Sequence, residues 1–298
     1  MPYSWTHLVR FLAKEDGQVH LGQIDAAKVP DLGLALEKGE TVTVQVVEGD
    51  VFDGVVTNRT LTISTVSFGL LAVVFLTPWL TRALLNNCSR YCAKIRCPLS
   101  AAWDSTTATT PRRPACRFQT LHQAADGAGR PVPARIVVPK IAQDGTSDYE
   151  AELSLVIGKT GRDIPKEQAL DYMLGYTASN DVSARAHTDG TGLDASAPIG
   201  PVLVAASAIV DPHRLKIKAI LNGEVVQNSN TSEMIFDIPT TIAFLSQGTT
   251  LERGTIIMTG TGPGIGAMRT PKLSLKHEDD IRVEIEKIGT LINKVYHE

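Results

Sequence analysis

The dipeptide Asn222-Gly223, set between LKIKAIL (215–221) and EVVQ (224–227), constrains the fold of this chain more than any other feature. Both residues tolerate the positive φ that a two-residue β-hairpin turn demands, so the flanking runs are expected to pair antiparallel. The device recurs. Asp16-Gly17 separates WTHLVRFL (5–12) from VHLGQI (19–24), and Ile288-Gly289 turns the closing stretch DDIRVEIEKIGTLINKVYHE back on itself. Further strands are expected at 41–47 (TVTVQVV), in the following VFDGVV, at 134–139 (ARIVVP), 151–158 (AELSLVIG) and 202–206 (VLVAA), and in the runs LGYTAS and TTLERGTIIMTGTG. Helices are expected at 165–174 and 239–246, each opened by a proline in its first turn. Strands dominate, so the class is a β-rich α+β fold, with residues 1–61 as a small N-terminal β-domain.

A stretch at about 62–133 breaks the pattern. From Gly54 to Ala125 the single acid is Asp104, against eight lysines and arginines. All four cysteines fall here, Cys88, Cys92, Cys97 and Cys116, with gaps that do not match a structural zinc site. The apolar run VSFGLLAVVFLTPWLTRALL has the length of a membrane span, but Pro78 interrupts it, so a buried helix fits better than a span and no membrane association is expected. The composition of the whole stretch fits an atypical insert or a mis-spliced segment. The rest of the chain is ordinary, with 43% hydrophobic and 20% charged residues. A formal charge of −3 gives no reason to expect nucleic acid as a partner. MPYSWTHLVRFLAKEDGQ lacks the apolar stretch and cleavage site of a signal peptide, and Glu15 and Asp16 argue against a transit peptide. A cytoplasmic location is therefore expected, with a mitochondrial one as the alternative.

Three elements could carry chemistry. In SDYEAELSLVIG (147–158), a strand that turns Ala151, Leu153, Leu155 and Ile157 one way puts Glu150 and Glu152 side by side on the other face. Adjacent carboxylates repel unless a cation or proton lies between them, and oxygen-only ligands suit magnesium, manganese or calcium. The plain alternative is two acids on a wet strand face. ASNDVSAR (178–185) ends a strand at Asn180-Asp181, where Asp181 is either a third carboxylate or a turn residue. MTGTGPGIGAM (258–268) is a glycine-rich loop whose free N–H groups, with the Thr259 and Thr261 hydroxyls, suit a carboxylate or phosphate.

In this order, DYEAELSLVIGK, LDYMLGYTASNDVSAR, PIGPVLV and LNGEVVQNSNTSEMIFDIPTTIAFLSQGTTLERGTIIMTGTGPGIG resemble the fumarylacetoacetate hydrolase family. The resemblance is narrowest to its fumarylpyruvate and acylpyruvate hydrolase branch, which includes oxaloacetate decarboxylases and tautomerases. It runs from about 134 to 298, more loosely over 3–61, and not over 62–133. It implies a mixed β-sandwich roll, usually a homodimer, with 134–298 as the metal-binding catalytic domain. It also implies Glu150, Glu152 and Asp181 as ligands of Mg2+ or Mn2+, and Thr259, Gly260 and Thr261 as the loop that receives the carboxylate end of a small 2-oxo acid. The implied activity is hydrolysis of a C–C bond, decarboxylation or tautomerisation of an acylpyruvate or oxaloacetate.

Two departures set the alternative, a catalytically impaired member that keeps fold and metal. Thr191 stands where the family carries a lysine before its P-I-G-P motif, in a segment that looks about ten residues short of the family pattern, and threonine cannot supply that charge. The family's D-H-x-x-E lid has no counterpart in 62–133. Thr261 and His187 remain as catalytic candidates, and His122 as a less favoured base; a histidine without an orienting partner carries little weight.

Overall fold

The structure, a computed structural model, describes residues 3–66, 135–186, 193 and 196–298. The four cysteines, the apolar run from 67 to 85, His122, His187 and Thr191 lie outside the described residues.

In chain order the strands are β1 (His7–Ala13), β2 (Val19–Gln23), β3 (Thr43–Glu48), β4 (Val55–Val66), β5 (Ile136–Val138), β6 (Ser147–Asp148), β7 (Ala151–Ile157), β8 (Gly161–Arg162) and β9 (Met173–Asn180). They continue as β10 (Ser183–Ala184), β11 (Ile199–Ala205), β12 (Lys216–Leu221), β13 (Glu224–Asn230), β14 (Thr250–Leu251), β15 (Ile256–Met258), β16 (Asp280–Ile285) and β17 (Gly289–His297). Among the described residues two short α-helices accompany them, α1 (Leu32–Glu37) and α2 (Ile238–Leu245).

The strands form an eight-stranded sheet in the order β15-β7-β9-β11-β1-β2-β3-β4 and a five-stranded sheet in the order β13-β12-β16-β17-β5. The N-terminal strands share a sheet with the strands expected to carry the site, because β1 pairs with β11 at His7↔Val204 and Leu8↔Leu203. One buried cluster joins both sheets: Leu153, Leu155 and Tyr176 from the first meet Ile217, Ala219, Val283 and Val295 from the second. A smaller cluster around Trp5, Leu8, Val156, Leu174 and Met258 covers the other face of the large sheet. β7 and β9 are thus buried on both faces, and every residue of each strand is buried.

The Asn222-Gly223 turn behaves as the sequence implies, with φ of 51° and 86° between β12 and β13, whereas between β16 and β17 Ile285 pairs with Gly289 and the turn is residues 286–288. Two expectations are corrected. The expected helix at 165–174 is a 3-10 helix at Lys166–Tyr172, with Gln168 N–H bonding back three residues to Pro165 O; the segment runs straight into β9 and has no room for further α-turns. VFDGVV is turn through Gly54, because the Asp50 carboxylate accepts from the Phe52 and Asp53 amides at 2.6 and 3.0 Å, and β4 starts only at Val55.

Helix α1 was not foreseen. Asp31 caps it by accepting from Leu34 N–H at 3.0 Å, and also takes the Thr290 amide at 3.1 Å and hydroxyl at 2.6 Å. Thr290 is buried, so loss of Asp31 strands two donors and removes the cap. Asp31→Ala is expected to lower stability by about 2–3 kcal/mol, measured by chemical denaturation. A change below about 0.5 kcal/mol, the range of ordinary surface substitutions, would contradict this role.

Candidate metal centre

Register assembles the site. β7 and β9 run antiparallel with Ala151 opposite Asn180 and Glu152 opposite Ser179. The residue before β7, Glu150, therefore faces the residue after β9, Asp181, and the Asp181 amide donates to Glu150 O at 2.9 Å. One carboxylate oxygen from each of Glu150, Glu152 and Asp181 lies within 4.8 Å of the others. Asn180 completes the junction: its Oδ1 accepts from the Glu150 amide at 2.9 Å, while its buried Nδ2 has no partner among the described residues.

These acids are not on a wet face. Glu152 is 3% exposed and Asp181 8%, and the Glu150 side chain 13%. The Glu152 carboxylate accepts one hydrogen bond, from Gly260 N–H at 2.8 Å, and has no ion pair among the described residues. Burial pushes its pKa well above the usual carboxylate value, and the charges of Asp181 and Glu150 push it the same way. Glu150 is also raised by burial, against the pull of Arg185 and the Ser183 hydroxyl. A carboxylate held in the interior without a cation costs several kcal/mol. A divalent ion among three convergent oxygens removes that cost, and the oxygen-only set fits a hard cation. The residues present therefore fit a metal.

A second ring of contacts fixes the first. Arg185 joins Glu150 Oε1 at 2.8 Å to Asp148 Oδ2 at 3.0 Å, and Ser183 Oγ donates to Glu150 Oε1 at 2.8 Å. Asp148 is 1% exposed and also accepts from the Gly266 and Ala267 amides at 2.7 and 2.9 Å. Only glycine fits at 266, since a Cβ there would meet Leu273 O at 1.9 Å and Asp148 Oδ1 at 2.8 Å. Sequence reasoning passed over Asp148, although its place two residues before Glu150 continues the same alternation as Glu150 and Glu152.

The glycine loop leaves β15, which pairs with β7 at Met258↔Ser154, and runs back beside the start of β7. Thr259 Oγ1 donates to Leu153 O at 2.9 Å, and Thr261 Oγ1 to Ala151 O at 3.1 Å. Both hydroxyl hydrogens anchor the loop to β7. Gly260, at φ 91°, turns its amide onto Glu152. The structure thus brings Glu150, Glu152, Asp181 and the Thr259–Thr261 turn together, with His187 outside the described residues. A separate open cleft of about 450 Å3, lined by Arg10, His20, Glu48 and Arg59 among others, holds none of these residues. Among the described residues no helix is long and apolar enough to cross a membrane.

Comparison with known proteins agrees with this geometry. The family model for the fumarylacetoacetate (FAA) hydrolase C-terminal domain matches residues 100–296. The chain belongs to the fumarylacetoacetate hydrolase family. The match opens within the compositionally odd stretch, earlier than the motifs at 134 onward. The mitochondrial oxaloacetate tautomerase FAHD2B of Homo sapiens is 42% identical over 169 residues, 54% of this chain and 53% of that protein. Oxaloacetate tautomerase YisK of Bacillus subtilis is 48% identical over 155 residues, 50% of this chain and 52% of that one. The chain spans about half the length of the curated relatives it matches.

Among solved structures, maleylpyruvate hydrolase from Sphingobium, in complex with manganese(II) and pyruvate, is 32% identical over 55% of this chain and 59% of its own, with a TM-score of 0.50. The 2-hydroxyhepta-2,4-diene-1,7-dioate isomerase of Mycobacterium marinum covers 98% of this chain and 99% of its own, with a TM-score of 0.64 at 23% identity, and so supports the fold alone.

The raised Glu152 pKa carries a sign. The native state holds this proton at pH values where the unfolded chain, near the ordinary 4.5, has lost it. Glu152 therefore makes the metal-free protein less stable as pH rises from about 4.5 through its raised pKa. Thermal melts in chelator from pH 4.5 to 8 are expected to show this decline, and Glu152→Gln to flatten it and to abolish stabilisation by Mn2+. Equal slopes in both proteins would contradict the burial of an uncompensated charge.

Proposed function

We propose that this chain is a divalent-metal-dependent enzyme acting on a small 2-oxo acid, with oxaloacetate tautomerisation the reaction favoured over acylpyruvate C–C hydrolysis and decarboxylation. The observation that carries the reading is the buried, convergent Glu150–Glu152–Asp181 cluster beside a glycine loop. The tautomerase relatives at 42% and 48% identity support the choice of reaction, and the hydrolase with manganese and pyruvate supports the cofactor and substrate class. Their partial coverage makes the activity a proposal for this chain.

In this reading Glu150, Glu152 and Asp181 hold Mg2+ or Mn2+, which when bound supplies Lewis acidity that stabilises enolate charge. Arg185 and Ser183 aim Glu150, and Gly260 N–H aims Glu152. The Thr259–Thr261 turn receives the substrate carboxylate at the Thr261 N–H, since both threonine hydroxyl hydrogens and the Thr259 N–H are bound to β7 and the Gly260 N–H is bound to Glu152. Thr261 accordingly serves binding, and His187 is the candidate for moving the proton between carbon and oxygen. Tautomerisation asks less of the chain than hydrolysis, because it needs charge stabilisation and one proton relay but no activated water.

The reading includes the finer parts of the family resemblance: a mixed β-sandwich roll, a homodimer, and a cytoplasmic or mitochondrial location. It also keeps 1–61 as the N-terminal β-domain, 62–133 as an atypical insert or mis-spliced segment and 134–298 as the catalytic domain.

The test is conversion of enol- to keto-oxaloacetate by the purified chain, followed by ultraviolet absorbance. Chelator is expected to abolish the reaction and added Mn2+ or Mg2+ to restore it. Product analysis with acylpyruvates separates hydrolysis from tautomerisation. Turnover that persists in metal-stripped protein would overturn the metal mechanism, and acylpyruvate cleavage without tautomerisation would overturn the choice of reaction.

A further inference from the structure

Gln227 lies on β13, in the five-stranded sheet, yet among the described residues its side chain bonds to Ala151, Thr261 and Gly262. It is 3% exposed. Its Oε1 accepts from Ala151 N–H at 3.0 Å, and its Nε2 donates to Thr261 Oγ1 at 2.8 Å and to Gly262 O at 2.9 Å. The orientation of the amide is unambiguous: an N–H faces one end and a carbonyl faces the other, so only one flip satisfies both.

These bonds close a ring. Ala151 N–H binds Gln227, Gln227 binds the Thr261 hydroxyl, and that hydroxyl binds Ala151 O at 3.1 Å. Ala151 is the residue between Glu150 and Glu152. The same side chain therefore fixes both the strand that carries two carboxylates and the turn beside them. The loop then passes tightly over β13, where Gly264 takes φ 108° and a Cβ would meet Val226 O at 2.4 Å and Gln227 Cγ at 3.3 Å. Asp148 holds the far end of the loop through Gly266 and Ala267, but its remaining bonds run to Arg185 and Tyr149. Gln227 is the buried side chain that reaches Thr261.

We propose that Gln227 is a positioning residue that sets where the Thr259–Thr261 turn meets the carboxylate end of a 2-oxo acid, and so governs substrate affinity and not the rate of the chemical step. This rests on the functional reading above. Losing the two donated bonds frees the turn to move relative to Ala151, and a displaced turn binds the carboxylate less well whichever reaction follows.

The test compares wild type with Gln227→Met, which keeps the volume and removes both polar ends. KM for oxaloacetate is expected to rise by about tenfold, the equivalent of one hydrogen bond to a charged group, with kcat within about threefold. The Kd for oxalate, measured by calorimetry in Mn2+, is expected to weaken by the same factor. The stabilisation that Mn2+ alone confers is expected to persist. Amide hydrogen exchange in the metal-free protein is expected to speed up in peptides covering 259–267, which reads the loop without any turnover.

If Q227M does not fold, Gln227→Leu carries the same test, because it also removes both donors and adds no charge beside the carboxylates. A folded variant with unchanged KM, oxalate affinity and exchange overturns the proposal. So does a fall in kcat with KM unchanged, the sign of a role in the chemical step. Wild type that neither turns over 2-oxo acids nor binds oxalate removes the functional reading and this proposal with it, an outcome distinct from a silent variant of an active enzyme.

Discussion

Repulsion among three buried carboxylates is the constraint around which the rest of this structure is arranged. Glu150, Glu152 and Asp181 converge because β7 and β9 pair in a register that leaves one acid just before the first strand and another just after the second. A shift of one residue would carry Glu152 to the opposite face and replace the triad with apolar side chains. The register is held by burial on both faces of β7, with Leu153 and Leu155 in the main core and Val156 in the smaller one. Apolar packing therefore places charges that would otherwise separate, and the resulting cost is what a cation relieves.

The surroundings distribute that charge without neutralising it. Arg185 is shared between Asp148 and Glu150, so it orients one acid of the triad while serving another carboxylate outside it. Glu152, the most buried of the three, receives a single N–H. The glycine loop meets the triad through that N–H and returns its threonine hydroxyls to β7 backbone carbonyls. Loop, strand and carboxylates are thus one bonded unit, supported from the second sheet by Gln227 and from β6 by Asp148. A site bonded this way holds carboxylates and turn in a fixed relative arrangement, as the proposed recognition of a 2-oxo acid requires.

Much of this was legible in the sequence, for identifiable reasons. Hairpin turns at Asn222-Gly223 and Asp16-Gly17 depend on local φ preferences, and they formed as expected. The alternation of acids and aliphatics in DYEAELSLVIG placed Glu150 and Glu152 together, and the fumarylacetoacetate hydrolase resemblance was confirmed by the family match. Burial was not legible: Glu-x-Glu on a wet strand reads the same as Glu-x-Glu in a core, and residues distant in the chain, the glycine loop among them, cover that face of β7. Long-range bonds were equally hidden. Gln227 is 76 residues from Ala151 in the chain, and Asp31 is 259 from Thr290. The 3-10 segment at Lys166–Tyr172 misled a pattern reading because proline-led helical spacing does not distinguish three-residue from four-residue hydrogen bonding.

The central claim is that the three carboxylates form one metal site. Its most direct test is an anomalous difference map from crystals of this chain grown with Mn2+. A single strong peak bonded to oxygens of Glu150, Glu152 and Asp181 is the predicted result. A peak elsewhere, or none at the triad under saturating Mn2+, would contradict the account.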